Sequence, residues 1–207
     1  MRQYIHKLSN TVIMSPTDTW KLSDVNIKPQ KGWQAAAGLY LNSPNGIWEY
    51  SVEGYYKRMS DYLDYRGGAK LLMNHHIETD VINTQGHAYG VELQVKKQVG
   101  KLNGWMSYTY SRTFLRQNDK RIEKPVNNGD WYPTEYDKPH DFKFVGNYKF
   151  THRYSMSINV DYSTGRPTTI PAGQYYDQGL QSMQVYYTDR NSYRVPDYFR
   201  LDLAFNI

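Results

Sequence analysis

The sequence predicts an all-β chain, an antiparallel up-and-down meander of about eight strands. Three observations predict it. Apolar residues recur at every second position in run after run, and no segment carries a convincing helical period. Aromatic residues make up 15% of the 207 residues, with Tyr alone supplying 21, and aromatic side chains suit a pleated surface. The connections alternate between tight turns and long polar segments, as they do when hairpin follows hairpin.

The first two runs, near 2–13 and 32–42, are the weakest. The third sets Trp48, Tyr50, Val52, Gly54 and Tyr56 against Glu49, Ser51, Glu53, Tyr55 and Lys57. The fourth sets Tyr89, Val91, Leu93 and Val95 against Gly90, Glu92, Gln94 and Lys96. The fifth, near 103–115, sets Met106, Tyr108 and Tyr110 against Trp105, Ser107, Thr109 and Ser111. In the sixth, Phe142, Phe144, Gly146, Tyr148 and Phe150 alternate with Asp141, Lys143, Val145, Asn147 and Lys149. The seventh is the clearest: Tyr154, Met156, Ile158, Val160 and Tyr162 alternate with Ser155, Ser157, Asn159, Asp161 and Ser163. The eighth places Phe199, Leu201, Leu203, Phe205 and Ile207 opposite Tyr198, Arg200, Asp202, Ala204 and Asn206.

Ser43-Pro44-Asn45-Gly46 reads as a tight turn, with Gly where a positive φ is expected. Val99–Leu102 and Thr151-His152 are the other short links. Long polar segments lie near 14–31, 59–84, 116–139 and 165–196, and loops of that length are uncommon in compact soluble domains. One rim is therefore plain and the other elaborated. No linker divides the chain, which reads as a single domain over 1–207.

A period of two makes one face apolar without saying whether that face is inside. The apolar faces run ~10 residues, the length a tilted strand needs to cross a bilayer core. Trp48, Tyr50, Tyr148, Phe150 and Tyr154 lie near the short turns. Tyr56, Tyr89, Tyr110, Phe142 and Tyr162 lie near the long loops, with Val52, Val91, Leu93, Phe144, Gly146, Met156 and Ile158 between. Two aromatic girdles around an aliphatic band are the outer surface of an outer-membrane barrel. The charged parity then faces a polar lumen. The alternative is a soluble sandwich whose apolar face is the core.

Composition narrows the function classes. With no Cys, a disulfide scaffold, a Cys-ligated zinc site, an iron–sulfur cluster and a thiol nucleophile are excluded. The net charge of +5 is spread without a basic block, so a nucleic-acid surface has little support. No apolar run approaches the ~20 residues of a membrane helix, and a mean hydropathy of −0.80 is compatible with a barrel, whose lumen face is polar. The opening residues, MRQYIHKLSN, carry no export signal.

Six short stretches, in order, carry a resemblance. They are Asn26-Ile27-Lys28-Pro29-Gln30-Lys31 with Gln34 and Gly38, Ala88-Tyr89-Gly90-Val91-Glu92, Ser107-Tyr108-Thr109-Tyr110-Ser111, Tyr136-Asp137-Lys138-Pro139-His140, Tyr162-Ser163-Thr164-Gly165-Arg166-Pro167, and Tyr198-Phe199-Arg200-Leu201-Asp202-Leu203. Each falls at an expected strand end. Together they resemble the barrel of TonB-dependent outer-membrane receptors over roughly 26–207. The resemblance implies part of the C-terminal half of a transmembrane β-barrel, incomplete at both ends, since the family's plug, TonB box, signal peptide and closing strand have no counterpart here. It implies a segment of an active-transport receptor in the cell outer membrane, not competent alone. It implies as partners outer-membrane lipid, the remaining barrel and plug, TonB through the missing N-terminal part, and a small ligand such as a siderophore or glycan. A small independent barrel or adhesin, and a soluble glycan-binding sandwich, are the alternatives.

No zincin, P-loop, dinucleotide or nucleophile-elbow motif occurs, so no enzyme and no cofactor is expected. His75-His76 is an adjacent pair whose side chains diverge in a strand, and no metal site is expected there. Trp131, Tyr132, Tyr175 and Tyr176 lie in long loops and are the ligand-stacking candidates, with loop packing as the competing role. Arg58 and Arg112 fall at long-loop ends of the apolar parity, just beyond Tyr56 and Tyr110. They are candidates to reach lipid phosphates at the rim, with loop salt bridges as the alternative.

Overall fold

A computed structural model describes residues 5–7, 20–25, 27–65, 80–117, 125–179 and 181–207, with backbone alone at 5–7 and at Lys21. His75 and His76 lie outside the described residues. The chain divides into two compact units. One comprises 1–33, 58–87 and 115–132, and the other 34–57, 88–114 and 133–207.

The main sheet is the expected meander. Strands β3 (Lys31–Asn42), β4 (Trp48–Tyr65), β5 (Val81–Lys97), β6 (Leu102–Gln117), β8 (His140–Lys149), β9 (Ser155–Ser163) and β14 (Tyr198–Asn206) neighbour one another in chain order. The short β7 (Tyr132–Pro133) adds to β6. The β6–β8, β8–β9 and β9–β14 ladders are antiparallel. No α-helix occurs among the described residues.

The second unit shows why the alternation folds this way. Register stacks like with like across the strands. Tyr108, Phe142, Tyr162 and Phe199 form one cross-strand row, and Met106, Phe144, Val160 and Leu201 the next. On the opposite parity, Ser107, Lys143, Asp161 and Arg200 form a row. Cross-strand pairs of this kind stabilise a sheet by about 0.2–1 kcal/mol each, and a slip of one residue would mix the two surfaces. In β4, Trp48, Tyr50, Val52 and Tyr56 are exposed while Glu49, Ser51, Glu53 and Tyr55 are half-buried. In β5, Tyr89 and Val91 are exposed while Ala88 and Gly90 are buried. The apolar parity is thus the open one, the reverse of a sandwich core.

The polar parity satisfies itself. The Tyr40 hydroxyl donates to Glu53 at 2.8 Å, Lys96 lies 3.4 Å from Glu49, and Arg200 lies 2.8 Å from Asp202. Ser157 donates to Asn147 at 2.7 Å. These groups are partly wet, so each pair is worth little alone; their sum is a hydrated, hydrogen-bonded face.

Two glycines are required by geometry. Gly46, at φ +66°, closes the turn between β3 and β4, with its N–H on Ser43 O at 2.8 Å. Gly104, at φ +156°, faces Gly146 across the β6–β8 ladder, and a Cβ there would sit 2.0 Å from the Val145 carbonyl oxygen.

The first unit carries a small core of its own. Ile27, Val81, Ile82, Leu115 and Tyr132 are buried, with Leu63 and Tyr65 packed beside Ile27 and Val81. Asp24 Oδ1 accepts the Ile27 N–H at 2.7 Å, and the Thr84 hydroxyl donates to Tyr62 O at 2.8 Å.

The structure departs from the sequence reading in two places. Strands β4, β5 and β6 cover 59–65, 81–84 and 116–117, where long loops were expected at 59–84 and 116–139. In β5 the extension buries neighbours of opposite parity, Val81 and Ile82, so the two-residue alternation that marks a one-sided sheet is lost there. The expected strand near 2–13 is represented in the described residues by β1 (Ile5–Lys7), which pairs with β2 (Trp20–Leu22) in a sheet of its own.

Candidate functional site

The segment 164–197 between β9 and β14 is built as two nested ladders. β10 (Pro167–Thr168) pairs with β13 (Tyr193–Arg194), and β11 (Pro171–Asp177) pairs with β12 (Ser182–Tyr187). Strand alternation therefore sorts its tyrosines. Tyr175, Gly173, Tyr186 and Gln184 share one face of the β11–β12 hairpin; Tyr176, Met183, Gln174 and Val185 share the other. Tyr175 is 54% exposed and Tyr186 65%. Gly173 has nothing within 4 Å of where a Cβ would stand, so the space between the two rings is open. Such a face can stack on a flat or saccharide surface while the phenol hydroxyls supply hydrogen bonds. The sequence placed Tyr175 and Tyr176 together. The hairpin divides them and gives Tyr175 a partner, Tyr186, that sequence reading missed. The signal was the alternation in Ser182-Met183-Gln184-Val185-Tyr186, short enough to pass for loop.

This segment is tied down at its base. Asp137 is buried, and its carboxylate gathers Arg112 Nε at 3.3 Å, Arg194 Nη2, and the Thr113 N–H at 2.8 Å. Arg194 also donates to Asp137 O at 2.8 Å and Gly165 O at 2.9 Å. Asn191 donates to Pro133 O at 2.8 Å. Asp197 accepts the Tyr162 hydroxyl at 2.6 Å and the Gly165 N–H at 2.9 Å. The Tyr162 hydrogen bond, then the Gly165 N–H, hold the Asp197 carboxyl below the usual carboxylate range, with Arg194 and His140 adding in the same direction. Gly165 is needed at this crossing, since a Cβ would meet Val195 O at 1.7 Å.

Arg112 is therefore engaged by Asp137 and lies 4.6 Å over the Phe114 ring. Arg58 is exposed in β4. In the first unit, Trp131 is 43% exposed and meets His87 edge-on at 4.4 Å. Burial, with the Arg58 charge second, lowers the His87 pKa, which keeps that ring neutral near pH 7. Tyr132 is 1% exposed and donates to Asp64 Oδ2 at 2.6 Å, so it packs the first unit and offers no face to a ligand.

Residues 8–207 match the family described as TonB dependent receptor-like, beta-barrel. No curated protein matches the chain. Among solved structures, it is similar to the ferripyoverdine receptor of the outer membrane of Pseudomonas aeruginosa bound to ferripyoverdine, at 11% identity and a TM-score of 0.52. That likeness covers 86% of this chain and 21% of the receptor's, and at such identity it concerns the fold.

Proposed function

Because the chain belongs to the TonB-dependent receptor β-barrel family, we propose that it supplies wall and outer loops to an outer-membrane receptor that takes up a small ligand. The observation that carries the reading is the pairing of an exposed, girdled apolar parity with a polar parity that satisfies itself, which fits lipid on one side and a hydrated lumen on the other. A receptor of this family couples ligand uptake to TonB through a plug. The chain spans 21% of the ferripyoverdine receptor, so plug and TonB contact belong in this reading to other parts of a receptor polypeptide. Its own contribution is positional: strands of the wall, and a loop hairpin with exposed tyrosines.

The ligand class follows from the hairpin. Tyr175 and Tyr186 suit an iron-chelating siderophore with aromatic groups or a glycan ring, both of which present flat faces. Each ring is worth roughly 0.5–1.5 kcal/mol in stacking. Replacing both with Ala in the intact receptor is expected to weaken ligand binding about tenfold or more, measured by titration against candidate siderophores and oligosaccharides. Unchanged affinity in a correctly inserted barrel would remove the hairpin from the binding site.

A further inference from the structure

The segment 164–197 changes character along its length. At its base, β10 and β13 are pinned. Arg194 is bonded to Asp137 and to Gly165 O, and the Val195 N–H to Arg166 O at 3.1 Å. Asn191 donates to Pro133 O from its side chain and to Thr169 Oγ1 from its backbone at 3.0 Å. Between the two ladders the arms are unequal. Two residues, Thr169 and Ile170, join β10 to β11, while five, 188–192, join β12 to β13. A continuous ladder does not cross such a mismatch. The link nearest the hairpin is a single carbonyl: Ile170 O accepts both the N–H and the hydroxyl of Thr188, each at 3.1 Å. The register then slips between Pro171 and Gly173, and Pro171 has no N–H to give to the ladder.

Beyond this joint, β11 and β12 bury neither face. Residues 171–176, Met183 and 185–187 are all exposed, on the side of Tyr175 and Tyr186 and on the side of Tyr176 and Val185 alike. A two-stranded ladder of this kind has little apolar burial to offset the entropy of ordering it and is marginal by itself. We infer that the β11–β12 hairpin is a flap that melts and re-forms on its own about the joint at Ile170 and Thr188, and that ligand capture orders it. Tyr175 and Tyr186 share one face only while the ladder holds. The apparent affinity is then the intrinsic one reduced by the fraction of time the ladder is formed. The base stays shut throughout, because its ties lie on the other side of the joint. The gating rests on the tyrosine face being the ligand face proposed above; the flap rests on the joint and the exposed ladder alone.

The test uses the intact receptor in neutral detergent. Gln174 and Val185 are opposed across the ladder, on the face away from Tyr175 and Tyr186. Opposed Cα atoms of an antiparallel pair lie about 4.5–5.5 Å apart, within reach of a disulfide, and this chain has no cysteine to compete. In the wild type, amide exchange read by mass spectrometry should run about tenfold or more faster in 171–177 and 182–187 than in β8 and β9. A Gln174→Cys, Val185→Cys double variant should, once oxidised, slow exchange in the hairpin about tenfold or more, and lose that protection on reduction. The variant is then titrated in both states with a ferric tris-catecholate complex and with maltoheptaose. Whichever probe binds should bind about tenfold tighter to the oxidised form. Exchange in the wild-type hairpin as slow as in β9, or unaltered by a formed disulfide, would overturn the flap. Equal affinity in the two states would overturn the gating. Binding of neither probe in either state would remove the tyrosine face as a ligand site, and the gating with it, while the exchange comparison decides the flap.

Discussion

At the scale of single residues, Asp137 holds more of the outer rim than any sugar-stacking candidate does. Its carboxylate is fully buried, and the guanidinium side chains that meet it, Arg112 and Arg194, are 26% and 31% exposed. Removing one member of a buried pair leaves charge without its partner and costs about 3–5 kcal/mol, and the partial exposure of both arginines favours the lower end. Asp137→Ala is therefore expected to lower unfolding stability of the refolded barrel by about 3 kcal/mol in denaturant titration. A change below about 0.5 kcal/mol would mean that water screens the pair as at an open surface. The stretch Tyr136–His140 was legible as a motif, but its purpose was not. Arg194 lies 57 positions along the chain from Asp137, and no local spacing announces a pair at that separation. Tyr132 shows the same limit: beside Trp131 in sequence, it is turned inward by Asp64, 68 positions away.

Among the elements, those that touch two different solvents were the readable ones. Strands β8, β9 and β14 alternate because one parity is apolar and the other polar, and their register follows from that contrast. The start of β5 buries both parities, Val81 and Ile82, so its sequence carries no contrast and reads as loop. The closing segment 164–197 depends on titratable contacts, and its behaviour with pH follows from them. Asp197 has its folded pKa lowered, chiefly by the Tyr162 hydroxyl and then by the Gly165 N–H. Its contribution is thus fully present above the unfolded carboxylate value of about 4 and is lost as pH falls through the lower folded value. The segment is expected to stay closed down to about pH 4 and to loosen below it. Hydrogen exchange at Gly165 across that range checks this, with Asp197→Asn abolishing the transition. Opening that persists in the Asp197→Asn variant would remove Asp197 as its cause.

Taken whole, the main sheet ends in β3 and β14, and every residue of both strands is exposed. Among the described residues no further strand joins their outer edges, and they carry large apolar side chains, Leu39, Phe199 and Phe205 among them. In hydrocarbon each unpaired group costs several kcal/mol, and in water the same strands recruit other chains. Residues 1–207 expressed alone are therefore expected to sediment as aggregates in plain buffer and to disperse only with detergent. A monodisperse, cooperatively unfolding monomer without detergent would overturn the membrane reading and restore the soluble sandwich.

The two aromatic belts also set a thickness. From the Tyr110–His140 pair to Phe150, just past the end of β8, the chain advances ten residues, roughly 33 Å at about 3.3 Å each. At a tilt of about 40° that becomes roughly 25 Å along the bilayer normal, several ångströms less than a typical hydrocarbon core of about 30 Å. Surrounding lipid must then compress, and each ångström of mismatch costs a fraction of a kcal/mol. The barrel should accordingly melt at a higher temperature in vesicles of 14-carbon acyl chains than in those of 20-carbon chains. An interval of this length between the belts favours the thinner of two membranes.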